Sequence, residues 1–110
     1  MEIKSPKKPM NKFRVGVIFA VSPEKKQVLF FGFGTFLGYF KPEREDVGFL
    51  PEEKDVLRLP NPKILLDNGD VIWGYECWWG KEQEIRDFLQ QKIDDKYTVY
   101  NIKIGELRNG

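Results

Sequence analysis

The sequence predicts a mainly β, β-rich α+β fold, a small antiparallel and partly open barrel with one helix before a last strand. Three observations carry this. An Asn-Gly pair stands between two apolar, β-forming runs, Ile64-Leu65-Leu66 and Val71-Ile72-Trp73. Two long stretches, Phe13 to Val21 and Gln27 to Phe40, are rich in β-branched and aromatic residues. Only residues 81–94 show helical spacing. An α+β sheet with one covering helix is the competing architecture.

Residues 1–11 read as a flexible basic arm with two prolines, three lysines and one acid. A single domain then runs over 12–104. Phe13, Val15, Val17, Phe19 and Val21 alternate onto one face. Ile18 and Ala20 make the far end of the other face apolar too, so that end is buried on both sides. Ser22 to Lys26 is a turn punctuated by Ser and Pro. Gln27 to Phe40 exceeds an ordinary strand and holds Gly32 and Gly34. Glycines inside a strand mark a bulge or bend, so this is one strand bent there or two strands meeting.

Residues 41–61 hold three prolines and six acids, among them Glu43, Glu45 and Asp46. They read as a long acidic loop, of a length that goes with function or mobility. Residues 64–73 form a hairpin, and Asn68-Gly69 suits a type I′ turn, which needs positive φ at both central residues. The second strand continues to Trp79. It places Val71, Trp73, Tyr75, Cys77 and Trp79 on one face, with Glu76 and Trp78 on the other. Gly80 ends it. In 81–94, Ile85, Phe88, Leu89 and Ile93 form one apolar stripe, with Glu82 and Glu84 at the positive end of the helix dipole. Tyr97 to Ile104 is a last strand, and 105–110 a loose tail. The resulting antiparallel meander, closed by a helix, is a small barrel of the SH3-like kind.

The chain has 110 residues, 41% hydrophobic and 15% aromatic, which suits one domain with a real core. Its 18 basic and 17 acidic residues exclude a whole-protein basic footprint for nucleic acid. The absence of histidine excludes the Ser-His-Asp triad, the Cys-His dyad and His-ligated metals. Cys77 alone forms no internal disulfide and no cysteine zinc cluster. It reads as a buried, inert thiol in a reduced, cytoplasmic setting. The longest apolar run, Val28 to Phe33, is too short to cross a bilayer, and the N-terminus lacks the apolar core of a secretory signal. Gly32-x-Gly34-x-x-x-Gly38 departs from the dinucleotide fingerprint in spacing and is not followed by a helix. Neither a cofactor nor a metal is expected.

Adjacent Trp78 and Trp79 point to opposite faces of a strand, so both cannot enter one core. One is therefore covered by the helix or the loop, or else exposed as a binding anchor. Glu76 shares a face with Trp78. If buried, it needs a partner such as Arg14 or Lys63. Acid–base chemistry would need a second carboxylate nearby, and Asp67 and Asp70 belong to the hairpin turn. The aromatic set Phe31, Phe33, Phe36, Tyr39 and Phe40 could stack bases, but no basic residue interleaves with it, which favours core or a protein interface. Basic residues outnumber acids seven to two over residues 1–26. A solvated terminus explains that bias, and so does a surface for phosphate.

The pattern Asn61-Pro62-x-Ile64-x-Leu66-Asp67-x-Gly69-x-x-x-Trp73-Gly74-x-Glu76-Cys77-Trp78-Trp79-Gly80, with the preceding GFGTFLGYF, resembles one in small uncharacterised proteins of phages and mobile elements, over about residues 27–84. The resemblance carries no activity. A glycine-bearing strand, an LDNG hairpin and a following aromatic strand also resemble SH3-like and Tudor-like barrels. That resemblance implies a binding module, although a fold does not assign a function.

Three readings follow, in order. The first is a non-enzymatic protein-binding module or inhibitor, using Trp78 or Trp79 with Glu76, Trp73 and Tyr75 and the acidic loop at Glu43, Glu45 and Asp46. The second is nucleic-acid binding through Lys4, Lys7, Lys8, Lys12, Arg14, Lys25 and Lys26. The third is a small carboxylate enzyme or nucleotide-binding protein centred on Glu76. No membrane is expected as a partner. Edge strands leave a homodimer open.

Overall fold

The computed structural model describes residues 12–42 and 59–108. Strand β1 (Phe13–Ser22) and strand β2 (Gln27–Phe40) make the first hairpin, and β3 (Asn61–Leu66) and β4 (Val71–Trp73) the second. A 3₁₀ turn over Gly74–Glu76 leads to β5 (Trp78–Lys81), then α1 (Glu82–Asp94), β6 (Thr98–Asn101) and α2 (Ile104–Arg108). The strand order is β4-β3-β2-β1-β5, with β6 added on β2. Pairing is antiparallel except between β2 and β6.

This order forces the sheet to curl. β4 and β5 lie on opposite edges, and a flat five-strand sheet would hold those edges about 19 Å apart. The stretch from Trp73 to Trp78 reaches about 17 Å only if fully extended, and a 3₁₀ turn occupies much of it. The sheet therefore curls over as the expected small, partly open barrel, with β4 and β5 as its two unjoined edges. Val15, Val17, Phe31, Phe36, Ile64, Leu66, Ile72 and Ile104 form one buried cluster. On the opposite side of β1 and β2, Ile18, Val28 and Phe30 pack with Ile85 and Leu89 of α1. The helix lies close on β1, because a Cβ at Gly16 would stand 2.6 Å from Cγ2 of Ile85.

Two bulges redirect the first hairpin. Phe31 is the extra residue of β2 between the Val17–Gly32 and Ile18–Phe30 pairs. Phe19 is the extra residue of β1 between the Ile18–Phe30 and Ala20–Leu29 pairs. Their rings meet edge to face at 5.6 Å. Phe19 consequently packs on the first cluster and Val21 on the second, not on one face as the alternation predicts. Gly32 has φ +125°, and Phe31 and Phe33 on either side of it serve opposite clusters. β2 is thus one strand bent at Gly32.

Five sequence expectations change. The β3–β4 turn is not type I′. Asn68 keeps negative φ, Gly69 alone is positive at +98°, and Gly69 N donates to Leu66 O at 2.9 Å. That is a three-residue loop with a glycine bulge. The strand expected through Trp79 breaks at the 3₁₀ turn. The last strand stops at Asn101, because Ile104 starts α2 and is buried in the first cluster. Residues 105–108 are helical, not loose. Asn61 and Pro62 belong to β3, so the long connection ends before them. The rest of that acidic stretch, with Glu43, Glu45 and Asp46, lies outside the described residues, as do residues 1–11 with Lys4, Lys7 and Lys8.

Candidate functional site

The corner between β4 and β5 gathers Trp73, Tyr75, Glu76, Trp78 and Trp79. The chain turns here because Gly74 fits where no side chain does. A Cβ at Gly74 would lie 2.7 Å from Cγ of Pro62 and 2.8 Å from Nε1 of Trp79. Glu76 closes the turn from within, where its carboxylate accepts a hydrogen bond from Trp73 N at 3.1 Å. Glu76 is 4% exposed, and Trp73 2%. This is a carboxylate holding a backbone corner, while Arg14 directs its donors to Asp67, Glu82 and Thr35.

Cys77 follows in the same corner and donates to Trp73 O at 3.5 Å. Burial, helped by the Glu76 charge, pushes its thiol up to about 12. It therefore stays protonated and poorly nucleophilic at neutral pH. Tyr75 is half-buried.

The two adjacent tryptophans separate as strand geometry requires. Trp79 stacks on Phe36, with centroids 5.4 Å apart and planes 11° apart, and packs on the first cluster. Trp78 is 50% exposed. Its ring meets Phe88 of α1 edge to face at 5.0 Å. Of the named corner residues, Trp78 alone is exposed. It does not share a surface with Glu76, because the 3₁₀ turn puts Glu76 inside. Phe88 belongs with Trp78 and was missed as a site residue. Its place at the edge of the helical stripe was the available signal.

The described part of the basic set divides. Lys12 and Arg14 open β1, and Lys25 and Lys26 follow its far end, about 30 Å away along a ten-residue strand. Arg14 is also neutralised. Its Nη1 and Nη2 each donate to Asp67 at 2.7 Å, and its Nε donates to Glu82 at 3.4 Å. The Arg14 guanidinium holds the Asp67 carboxyl below its ordinary range. Glu82 is lowered as well, first by Arg86, whose Nη2 donates to it at 2.7 Å. Arg86 in turn stacks over Phe33 at 4.3 Å.

Among the described residues, two shallow hollows bear on the site. One, about 420 Å³, is lined by Phe33, Arg86, Asp87, Leu89, Gln90 and Ile93. The other, about 230 Å³, lies where β2 leaves β6 and meets β3, beside Gly32, Asp67 and Asn101. Neither contains a pair of facing carboxylates. Among the described residues, no three Cys, Asp or Glu side chains gather as a metal site. No described helix is long and apolar enough to cross a membrane. Comparison with protein families, curated proteins and solved structures gives no match.

Proposed function

We propose that this chain is a small SH3-like binding module, of the kind carried by phages and mobile elements, that captures a protein partner through Trp78. One observation carries the reading. A large aromatic ring is half-exposed, yet it is fixed on a short strand and braced by Phe88. Rigid, partly packed tryptophans are the residues that dominate binding energy at interfaces. A reduced cytoplasmic setting is part of this reading and accords with a single free thiol.

A tagged pull-down tests it, run with wild type and Trp78→Ala on nuclease-treated and untreated lysate. The expected result is a stoichiometric protein that survives nuclease and is lost with the substitution. Nuclease-sensitive recovery independent of Trp78 would favour nucleic-acid binding through the basic N-terminal segment. Self-association of the purified protein, lost with Trp78→Ala, would make a second copy the partner.

A further inference from the structure

Beyond Trp78, aromatic rings and ammonium groups alternate along one flank of α1. Phe88 braces Trp78, Lys92 Nζ lies 5.3 Å from the Phe88 centroid and 4.8 Å from that of Tyr97, and Lys26 Nζ approaches Tyr97 at 5.3 Å. Lys26 is held at both ends. Lys26 occupies a left-handed turn position, φ 55°, that favours glycine. Its carbonyl accepts from Thr98 N at 2.9 Å, and its Nζ donates to Asp95 O at 3.4 Å. Lys92 sits in the last turn of α1.

These cations differ from the other flank's. Arg14 and Arg86 are matched by Asp67 and Glu82. Among the described residues, neither Lys26 nor Lys92 pairs with a carboxylate. Asp94, near in sequence, is engaged elsewhere and accepts from Gln90 Nε2 at 3.0 Å. Two positive charges thus stand along a row that begins at an apolar anchor, neither held in an ion pair among the described residues, with the Asp94 and Asp95 carboxylates as their neighbours in sequence.

We infer that this surface docks an acidic segment of a partner protein. An apolar side chain of that segment would meet Trp78, and its carboxylates would meet Lys92 and Lys26. Charge complementarity sets the sign of the occupant. The rings decide its class. Single-stranded nucleic acid needs open aromatic faces for its bases. Ammonium groups already lie over Phe88 and Tyr97, which leaves Trp78 as the open ring. The inference rests on the binding-module reading and specifies the partner's chemistry.

The test selects a library of short random peptides on the intact protein, with oligothymidylate as a parallel probe. Enrichment of acidic peptides bearing an apolar residue is expected. Their affinity should fall roughly tenfold in the double substitution Lys26→Gln, Lys92→Gln, and steeply in Trp78→Ala, with circular dichroism unchanged. Selected peptides without acids, or acidic peptides bound equally by the double variant, would overturn the charge assignment while leaving Trp78 as the anchor. Peptides indifferent to Trp78→Ala would overturn both readings. Failure of any peptide to enrich, or Trp78-dependent retention of oligothymidylate instead, would also overturn the inference.

Discussion

The three tryptophans make a graded series in which truncation separates packing from binding. Trp73 is fully enclosed, so Trp73→Ala leaves a cavity and costs about 3–5 kcal/mol. Trp78 is 50% exposed. Its ring has about 200 Å² to bury, so about half of that, at ~25 cal/mol per Å², gives an upper bound near 2.5 kcal/mol. Residual burial in the unfolded chain lowers this to about 1.5–2 kcal/mol. A domain with about 5–15 kcal/mol of stability remains folded after that loss. Binding should respond more strongly, by about 2 kcal/mol or more, about a thirtyfold change in Kd. Urea unfolding followed by circular dichroism gives the first quantity, and titration with the captured partner gives the second. Acrylamide quenching adds a check, because Trp78 should supply most of the quenchable fluorescence. If Trp78→Ala costs as much stability as Trp73→Ala, Trp78 is core and the site argument fails.

Other perturbations have expected outcomes of their own. Gly34→Ala should cost about 2–3 kcal/mol, because its Cβ would run into the Leu65 carbonyl oxygen and backbone cannot step aside. Gly105→Ala, with open space around it inside α2, should instead stabilise by up to about 1 kcal/mol in the same melts, a contrast of opposite sign. Asp67→Asn should destabilise at pH 7 and converge on wild type in acid. The Asp67 carboxyl is lowered by Arg14, so its contribution is present above the ordinary carboxylate pKa and disappears as pH falls through the lowered one. Urea midpoints across that range would show the convergence, and a pH-independent difference would remove the ion pair as its cause. Cys77 should resist a thiol reagent at pH 8 in the native protein and react once urea unfolds it, as burial of a thiol raised to about 12 requires.

The regular periodicities were legible. The alternation in β1, the two hairpins and the helical stripe with Ile85 and Leu89 follow from side-chain spacing and turn chemistry. What failed to show was backbone irregularity. Phe19 and Phe31 look like ordinary alternating residues, and only facing each other do they become paired bulges that reroute Val21 and Phe33. The 3₁₀ turn was hidden for a similar reason. Tyr-Glu-Cys-Trp reads as strand until Gly74 is seen between Pro62 and Trp79. Residue spacing fixed that Trp78 and Trp79 would part, but it did not tell which would face outward. The cation–aromatic row was also illegible, because Lys26 and Tyr97 meet only through the parallel β2–β6 pairing.

That pairing also bears on the order of assembly. The edge of β2 is shared, with residues 27–30 bound to β6 and residues 34–40 to β3. The two hairpins close through loops of a few residues and should form within microseconds. β6 must return across some seventy residues of chain before it is rewarded by contacts, so it docks late. Until then Gln27 to Phe30 offers an unpaired, apolar ladder to any neighbouring molecule. Synthesis from the N-terminus lengthens that interval, since β6 emerges some seventy residues after the β2 segment it pairs with. Shortening the chain before Thr98 would make the exposure permanent, and its signature would be concentration-dependent strand exchange or fibril formation.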